Sequence, residues 1–302
     1  MVLGERKGLL NRTVKICKAN VPGWLLLVPS LFLFFYLVWR PIFIGITYSF
    51  FDLKGFNPDS FVGIRNYQRV IMDTEFLKTL KNSAVYVLWS LIIGLPLPIL
   101  CAIMLHEMIS LKQYFKIALY LPAVIPAVAN SLLWTNIYAA DESGLLNMLL
   151  SNFGISPQPW LNSETMVIPL IIVSMTWQGF GGTILYYLAT LQSVNTELYE
   201  ATRLDGAGFL QRARHVIVPH LTPIILLMTI KQMIGVFQTL DGPMVMTDGG
   251  PNGASTTLAL TAYKYAFRFD RADEALALNV ITFFILIWLT FVYFKAEKKF
   301  GE

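Results

Sequence analysis

Six apolar runs, near residues 22–48, 80–105, 115–139, 166–191, 223–242 and 275–295, leave this chain few ways to fold. Each is long enough to cross roughly 30 Å of hydrocarbon as a helix rising about 1.5 Å per residue. Hydrocarbon offers backbone N–H and C=O groups no water, so a spanning segment must bond internally as a helix or close into a barrel. These runs lack the polar–apolar alternation of barrel strands. Charged residues make up 14% of the chain, against about 25% in soluble domains. The pattern predicts an all-α polytopic membrane protein with six transmembrane helices.

The run from Pro22 is too long for a cleaved signal peptide and lacks a small-residue cleavage site, so it is expected to remain as the first span. The chain then divides into an N-terminal segment 1–21, a membrane domain 22–295 and a tail 296–302. Cys17 and Cys101 lie far apart and read as packing residues, and no metal-binding spacing occurs. Arg40, a charge within the first run, is expected to snorkel toward the interface.

Lys and Arg set the orientation, because positive loops stay cytoplasmic. Arg6, Lys7, Arg12, Lys15 and Lys18 precede the first span, and Lys295, Lys298 and Lys299 follow the last. Lys112, Lys116, Arg203, Arg212 and Arg214 fall in loops on that same side of a six-span chain. Among the opposite loops, 139–165 holds Asp141, Glu142 and Glu164 but no Lys or Arg. Both termini and the loop 192–222 are expected in the cytoplasm.

That loop has a legible internal plan. Asn195 or Thr196 can cap a short helix, with Glu197 and Glu200 near its positive end. Asp205-Gly206 reads as a tight turn. A second helix is expected from Ala207, with Phe209, Ala213 and Val216 on one face, Arg212 and Arg214 off it, and Pro219 as its stop. Periodicity alone leaves two readings open, an amphipathic element lying against lipid headgroups or a knob for a soluble partner.

The run Glu200-Ala201-Thr202, Asp205-Gly206-Ala207 and Ile217-Val218-Pro219 resembles the EAA signature of binding-protein-dependent ABC importer permeases. The Asp-Gly-Ala form is similar to the carbohydrate-uptake branch. Thr202 and Val218 depart from the commonest residues by similar-sized substitutions. Pro22-Gly23-Trp24-Leu25, Trp39-Arg40-Pro41, Tyr48-Ser49-Phe50, Phe61 to Tyr67, Asn82, Leu121-Pro122 and Phe237 to Pro251 extend the likeness to the maltose-type first permease subunit.

The resemblance implies the type I importer permease fold in a bacterial cell membrane, with 192–222 as a coupling loop. Glu200, Ala201, Asp205, Gly206, Ala207, Phe209 and Pro219 would then engage a separate ATPase. It also implies a second homologous permease, two ATPase subunits, and an extracellular solute-binding protein that delivers a sugar or oligosaccharide. Glycerol phosphate would suit the resembled family too. No cofactor is expected on this chain; ATP and Mg belong to the ATPase.

The residues agree on where ATP is not handled. The chain has no GxxxxGK[ST] loop, and Asp248-Gly249-Gly250-Pro251-Asn252-Gly253 lacks the Lys and Ser/Thr that grip phosphate and Mg. His106, His215 and His220 belong to no catalytic arrangement, so the chain reads as a transport subunit rather than an enzyme. No basic nucleic-acid surface is indicated; lipid is the expected surround.

Polar residues inside spans are expensive and tend to face cavities or other helices. Gln178, Lys231, Gln232, Phe237 and Gln238 form the expected substrate pathway, with Gly235 on the Lys231 face. Thr176, Gly179, Gly181, Gly182 and Thr183 are expected to break the fourth span. The competing reading is that the amides join helices and the glycines permit close packing. Lys231 could instead meet an acidic group across a helix interface. A stand-alone ion-coupled transporter is the alternative function; it requires a mid-span carboxylate, for which Asp241 is the nearest candidate. An integral-membrane enzyme ranks last.

Overall fold

The computed structural model describes residues 21–108, 110–194, 202 and 206–300. Helix α1 (Gly23–Tyr48) carries apolar side chains on every side, and none of its apolar window is buried against the rest of the chain. Such a helix belongs in hydrocarbon. The Arg40 guanidinium lies 5.0 Å from the Tyr36 ring centre, a cation–π contact one turn away.

A hairpin follows, β1 (Phe51–Lys54) paired antiparallel with β2 (Asn57–Phe61). An all-α fold with a loop here was expected, and Asn57-Pro58-Asp59-Ser60 has little strand propensity of its own. Tertiary contacts supply the difference. Helix α2 (Arg65–Met72) buries Asn66, whose amide donates to Ser49 O at 3.1 Å and Phe51 O at 2.9 Å. Tyr67 shares a 2.6 Å hydrogen bond with the Ser49 hydroxyl. The Asn-Tyr pair therefore anchors the end of α1 to the hairpin.

Helix α3 (Thr74–Glu107) starts on Asp73, whose carboxylate accepts the Glu75 N–H. It passes through a π turn at Ser90–Gly94, with Pro96 and Pro98 just beyond. The third run is bent rather than straight: α4 (Lys112–Val124) and α5 (Ala127–Ile137) meet at 98°. Pro126 disfavours a helical Ile125, which is extended at ψ 128°. The single span expected over 115–139 is corrected to this broken pair.

The loop beyond α5 contains α6 (Leu145–Ser151) and folds around the buried Asn147. The Asn147 amide donates to Ala139 O, Asp141 O and Gln158 O, and its carbonyl accepts from Gln158 N and Trp160 Nε1. Helix α7 (Val167–Leu191) then runs unbroken for 25 residues, so the expected interruption at Gly179–Gly182 does not occur. Gly181 instead allows contact, since a Cβ there would run into the Leu119 and Tyr120 backbone of α4.

Helix α8 (Phe209–Phe237) is also continuous, which corrects the stop expected at Pro219. A π turn at Ala213–Ile217 precedes Pro219, and the Val218 N–H reaches back to Ala213 O. The widened turn accommodates a residue that has no N–H to donate. Three helices complete the described chain: α9 (Asp241–Thr247), α10 (Leu258–Phe267) and α11 (Ala272–Phe300). The last continues through most of the expected tail.

Two apolar cores are stacked along the bundle. One gathers Tyr86 and Val87 of α3, Ile171 and Ile172 of α7, Val236 and Phe237 of α8, and Leu258 and Leu278. The other gathers Ala102, Ile103 and Leu105 of α3, Ile184, Tyr187 and Leu188 of α7, and Ala213, Ile217 and Leu221 of α8. The same three helices serve both cores.

Candidate functional site

Where the two cores part, α3, α7 and α8 enclose a cavity of about 290 Å³. The π turn of α3 brings Gly94 to its wall, and a Cβ on Gly94 would lie 2.8 Å from Gln232 Nε2 and 3.2 Å from Thr176 Oγ1. The missing side chain leaves room for these polar heads. Thr176 and Tyr187, both buried, line the space, and their hydroxyls have no hydrogen-bond partner among the described residues. Buried hydroxyls normally find partners; these two oxygens lie just behind the wall, and the polar side chains open to the cavity are those of Lys231 and Gln232.

Lys231 and Gly235 fall on the same wall, as their i, i+4 spacing on α8 requires. The Lys231 ammonium lies 4.8 Å from the Tyr186 ring centre. An aromatic face, not the acidic group considered from sequence, is its neighbour. Lys231 and Gln232 are thus brought together at the cavity.

Three other expected pathway residues lie elsewhere. Gln178 donates to Ile125 O at 2.7 Å, satisfying a carbonyl exposed by the bend between α4 and α5. Phe237 is only 5% exposed and packs in the apolar core. Gln238 is exposed where α8 ends. Gly94 and Tyr187 were missed because both sit in apolar runs without polar neighbours. Gly94-Leu95-Pro96-Leu97-Pro98 did carry a signal, since Gly and Pro together mark irregular helix.

At one end of the bundle the chain turns at Gly206, whose φ of +74° suits glycine. The Ala207 N–H donates to Thr202 O at 3.0 Å, and the Gln211 side chain accepts the Gly208 N–H at 2.9 Å. Phe209 is 46% and Leu210 77% exposed. The buried face is Ala213, Ile217 and Leu221, displacing the expected Phe209-Ala213-Val216 stripe because the π turn shifts the helical phase. Arg212 is not off the packed face: it meets Glu107 at 2.9 Å, both side chains largely buried. Pro219 lies inside α8. Glu200, Ala201 and Asp205 lie outside the described residues, as does Cys17.

Residues 94–296 match the family described as binding-protein-dependent transport system inner membrane component. The chain belongs to this family. It is 31% identical to the probable ABC transporter permease protein YurN of Bacillus subtilis, over 92% of this chain and 97% of that relative. The arabinooligosaccharides transport system permease protein AraP of Bacillus subtilis is 30% identical, over 80% and 78%. The trehalose/maltose transport system permease protein MalF of Thermococcus litoralis is 29% identical, over 91% and 93%. A crystal structure of a bacterial ABC transporter that imports the acidic polysaccharide alginate contains a chain of the same fold. Its TM-score is 0.85 at 21% identity, covering 96% of this chain and all of that one.

The opposite end of this permease is built around the loop at Gly249. Asn82 donates to Gly253 O at 2.9 Å and Thr256 O at 3.0 Å, Tyr86 donates to Ser255 O, and Lys78 reaches Asn252 O. Asp248 accepts from Arg268 at 2.6 Å. That hydrogen bond, together with Lys264 and against some burial, holds the Asp248 carboxyl below its ordinary range. Burial raises Asp73, but its hydrogen bonds from Tyr265 and the Glu75 N–H and its nearness to Arg271 bring it lower still. The glycines expected not to bind phosphate therefore shape a loop that α3 holds by its carbonyls. Asp241, on which ion coupling would depend, is exposed in the first turn of α9 rather than set in mid-span.

Proposed function

We propose that this permease forms part of the membrane pathway of an ATP-driven importer that moves a sugar or oligosaccharide into the cell. The carrying observation is the cavity where Gly94, Thr176, Tyr187, Lys231 and Gln232 converge within an apolar bundle. Amide and ammonium groups on an otherwise apolar wall suit a polyhydroxylated guest. The printed substrates of the relatives, arabinooligosaccharides and trehalose or maltose, support the same chemistry.

In this reading the Gly206 end faces the cytoplasm with both termini, in keeping with Lys112, Lys116, Arg212 and Arg214 at that end. Glu200, Ala201, Asp205, Gly206, Ala207, Phe209 and Pro219 belong to the coupling segment. Exposed Phe209 and Leu210 would fill a groove of an ATPase subunit, which binds ATP and Mg. A second permease completes the pathway, two ATPase subunits drive it, and an extracellular solute-binding protein meets the Gly249 end. One solved relative of the same fold was crystallised with an alginate pentasaccharide-bound periplasmic protein. Lys231 and Gln232 contact the passing sugar.

The test is uptake of maltose, trehalose and arabinooligosaccharides by the complex reconstituted in liposomes. Uptake should require ATP, and Gly206→Trp, forced into a left-handed backbone, should lower sugar moved per ATP about tenfold while the protein stays in the membrane. Normal coupling in that variant would overturn the coupling role. Uptake by the isolated chain on an ion gradient without ATP would overturn the function.

A further inference from the structure

Below the cavity its walls diverge. Helix α3 packs against α8 over Thr74–Gly94, whereas Pro96–Glu107 packs on α7. Toward their far ends α3 and α8 share the apolar contacts of the second core and a polar one, Arg212 Nη2 to Glu107 Oε2 at 2.9 Å. The same guanidinium donates from Nη1 to Ala207 O at 2.6 Å, the residue after the Gly206 turn. From the first turn of α8, Arg212 therefore holds both the end of the turn and the last turn of α3.

We propose that Glu107 and Arg212 are the positioning pair that makes α3 and α8 respond together to displacement of the turn at Gly206. The Arg212 and Glu107 side chains are 12% and 15% exposed, so the charges are largely removed from water. Burying an ion pair gives little net stability compared with an apolar contact of the same size. Glu107 Oε1 has no hydrogen-bond partner among the described residues, so the pair is a costly way to pack two helices. Its advantage is directional: a planar guanidinium binds a carboxylate and a carbonyl at fixed angles, which apolar side chains do not.

The helices then carry the displacement to the site. Helix α8 runs from Arg212 to Gln232, its own π turn at Ala213–Ile217 braced by the buried Ala213 and Ile217, and α3 leads back from Glu107 to Gly94 over about 20 Å at 1.5 Å per residue. The π turn at Ser90–Gly94, with Pro96 and Pro98 beyond, interrupts the ordinary hydrogen-bond ladder where α3 meets the cavity. Helices bend at such places. A pull at Glu107 should pivot α3 there, moving Gly94 relative to Gln232 and Thr176. Without the pair, only the apolar contacts of the second core would link α3 to the turn, and they fix no direction.

This rests on the coupling role given above to the Gly206 segment, so the experiment includes Gly206→Trp as a reference. The assembled importer in liposomes is assayed for sugar moved per ATP hydrolysed, using whichever of maltose, trehalose or arabinooligosaccharide it takes up. Glu107→Gln should lower that ratio about tenfold while ATP hydrolysis stays within about twofold, a size typical of coupling variants. The exchange Glu107→Arg with Arg212→Glu rejoins α3 to α8 but gives up the donor to Ala207 O, so it should restore the ratio in part, to within about threefold of normal.

An unchanged ratio in Glu107→Gln, or an assembled exchange variant as uncoupled as Glu107→Gln, overturns the proposal. If Glu107→Gln does not assemble, the exchange variant decides alone: a ratio within about threefold of normal supports the pair and a collapsed one refutes it. If the exchange variant does not assemble either, charge alone cannot replace the native arrangement, and the proposal falls. Should Gly206→Trp couple normally, the underlying coupling role fails first. Uncoupling by Gly206→Trp but not by Glu107→Gln removes only the pair.

Discussion

The Gly249 end and the Gly206 end of this permease are held by different physics. At the Gly249 end, side chains of α3 donate to backbone carbonyls of a loop some 170 positions away in sequence, and Asp248 is gripped by Arg268 and Lys264. Hydrogen bonds to buried carbonyls lose their value when geometry shifts, so such a loop resists displacement. At the Gly206 end, the apolar face of Ala213, Ile217 and Leu221 supplies the packing, and the Glu107–Arg212 pair supplies the angle. His220 adds contacts of 3.1 Å to Ser193 and 3.2 Å to Thr190. Apolar contacts slide with less penalty than a hydrogen-bonded lattice breaks. One end thus suits a fixed platform and the other a moving joint, with the cavity between them.

The comparison can be broken most forcefully at Asn82. Asn82→Ala removes a donor from Thr256 O and from Gly253 O, the latter keeping the Thr256 N–H at 3.2 Å, and should cost about 2 kcal/mol, read as a lower unfolding temperature in detergent. Loss below about 0.5 kcal/mol would remove the lattice from the explanation.

Acid should loosen the same end to a lesser degree. Asp73 and Asp248 both titrate below the ordinary carboxylate value of 3.8 in the folded protein. A depressed value means the stabilisation is complete above the unfolded value and is lost as pH falls through the folded one. Tryptophan-monitored melting should therefore show little change down to about pH 5 and a decline toward about pH 3, reduced in Asp248→Asn.

The smallest effect should come from Ser193→Ala at the Gly206 end. His220 keeps Thr190 O, so unfolding should change by no more than about 0.5 kcal/mol. A cost matching that of Asn82→Ala would mean the two ends are held alike.

Much of the fold was legible because hydrocarbon imposes a simple rule on long apolar runs. All six runs correspond to helices or, for the third, to a bent helical pair. Misjudged points share one cause: irregular helix is set by partners. Pro219 read as a stop, yet a π turn carries α8 past it. The glycines of α7 read as a break, yet Gly181 serves close contact with α4. Gln178 looked like a sugar ligand until the bend at Ile125 supplied an open carbonyl. Lys231 and Gln232 were legible because charge and amide are conspicuous in an apolar span, whereas Gly94 and Tyr187 gain meaning only from what surrounds them.

By itself, the sequence determined that this chain spans a membrane as helices, which side its charges favour, and that Gly206 makes a turn. Those outcomes follow from local terms: transfer of apolar side chains, the cost of moving charge across hydrocarbon, and the backbone freedom of glycine. Only the tertiary structure decided that Gly94, Thr176, Tyr187, Lys231 and Gln232 share one cavity and that Glu107 meets Arg212. Such meetings depend on how three helices cross. Helix crossing is fixed by the fit of whole faces, which no single stretch of sequence specifies.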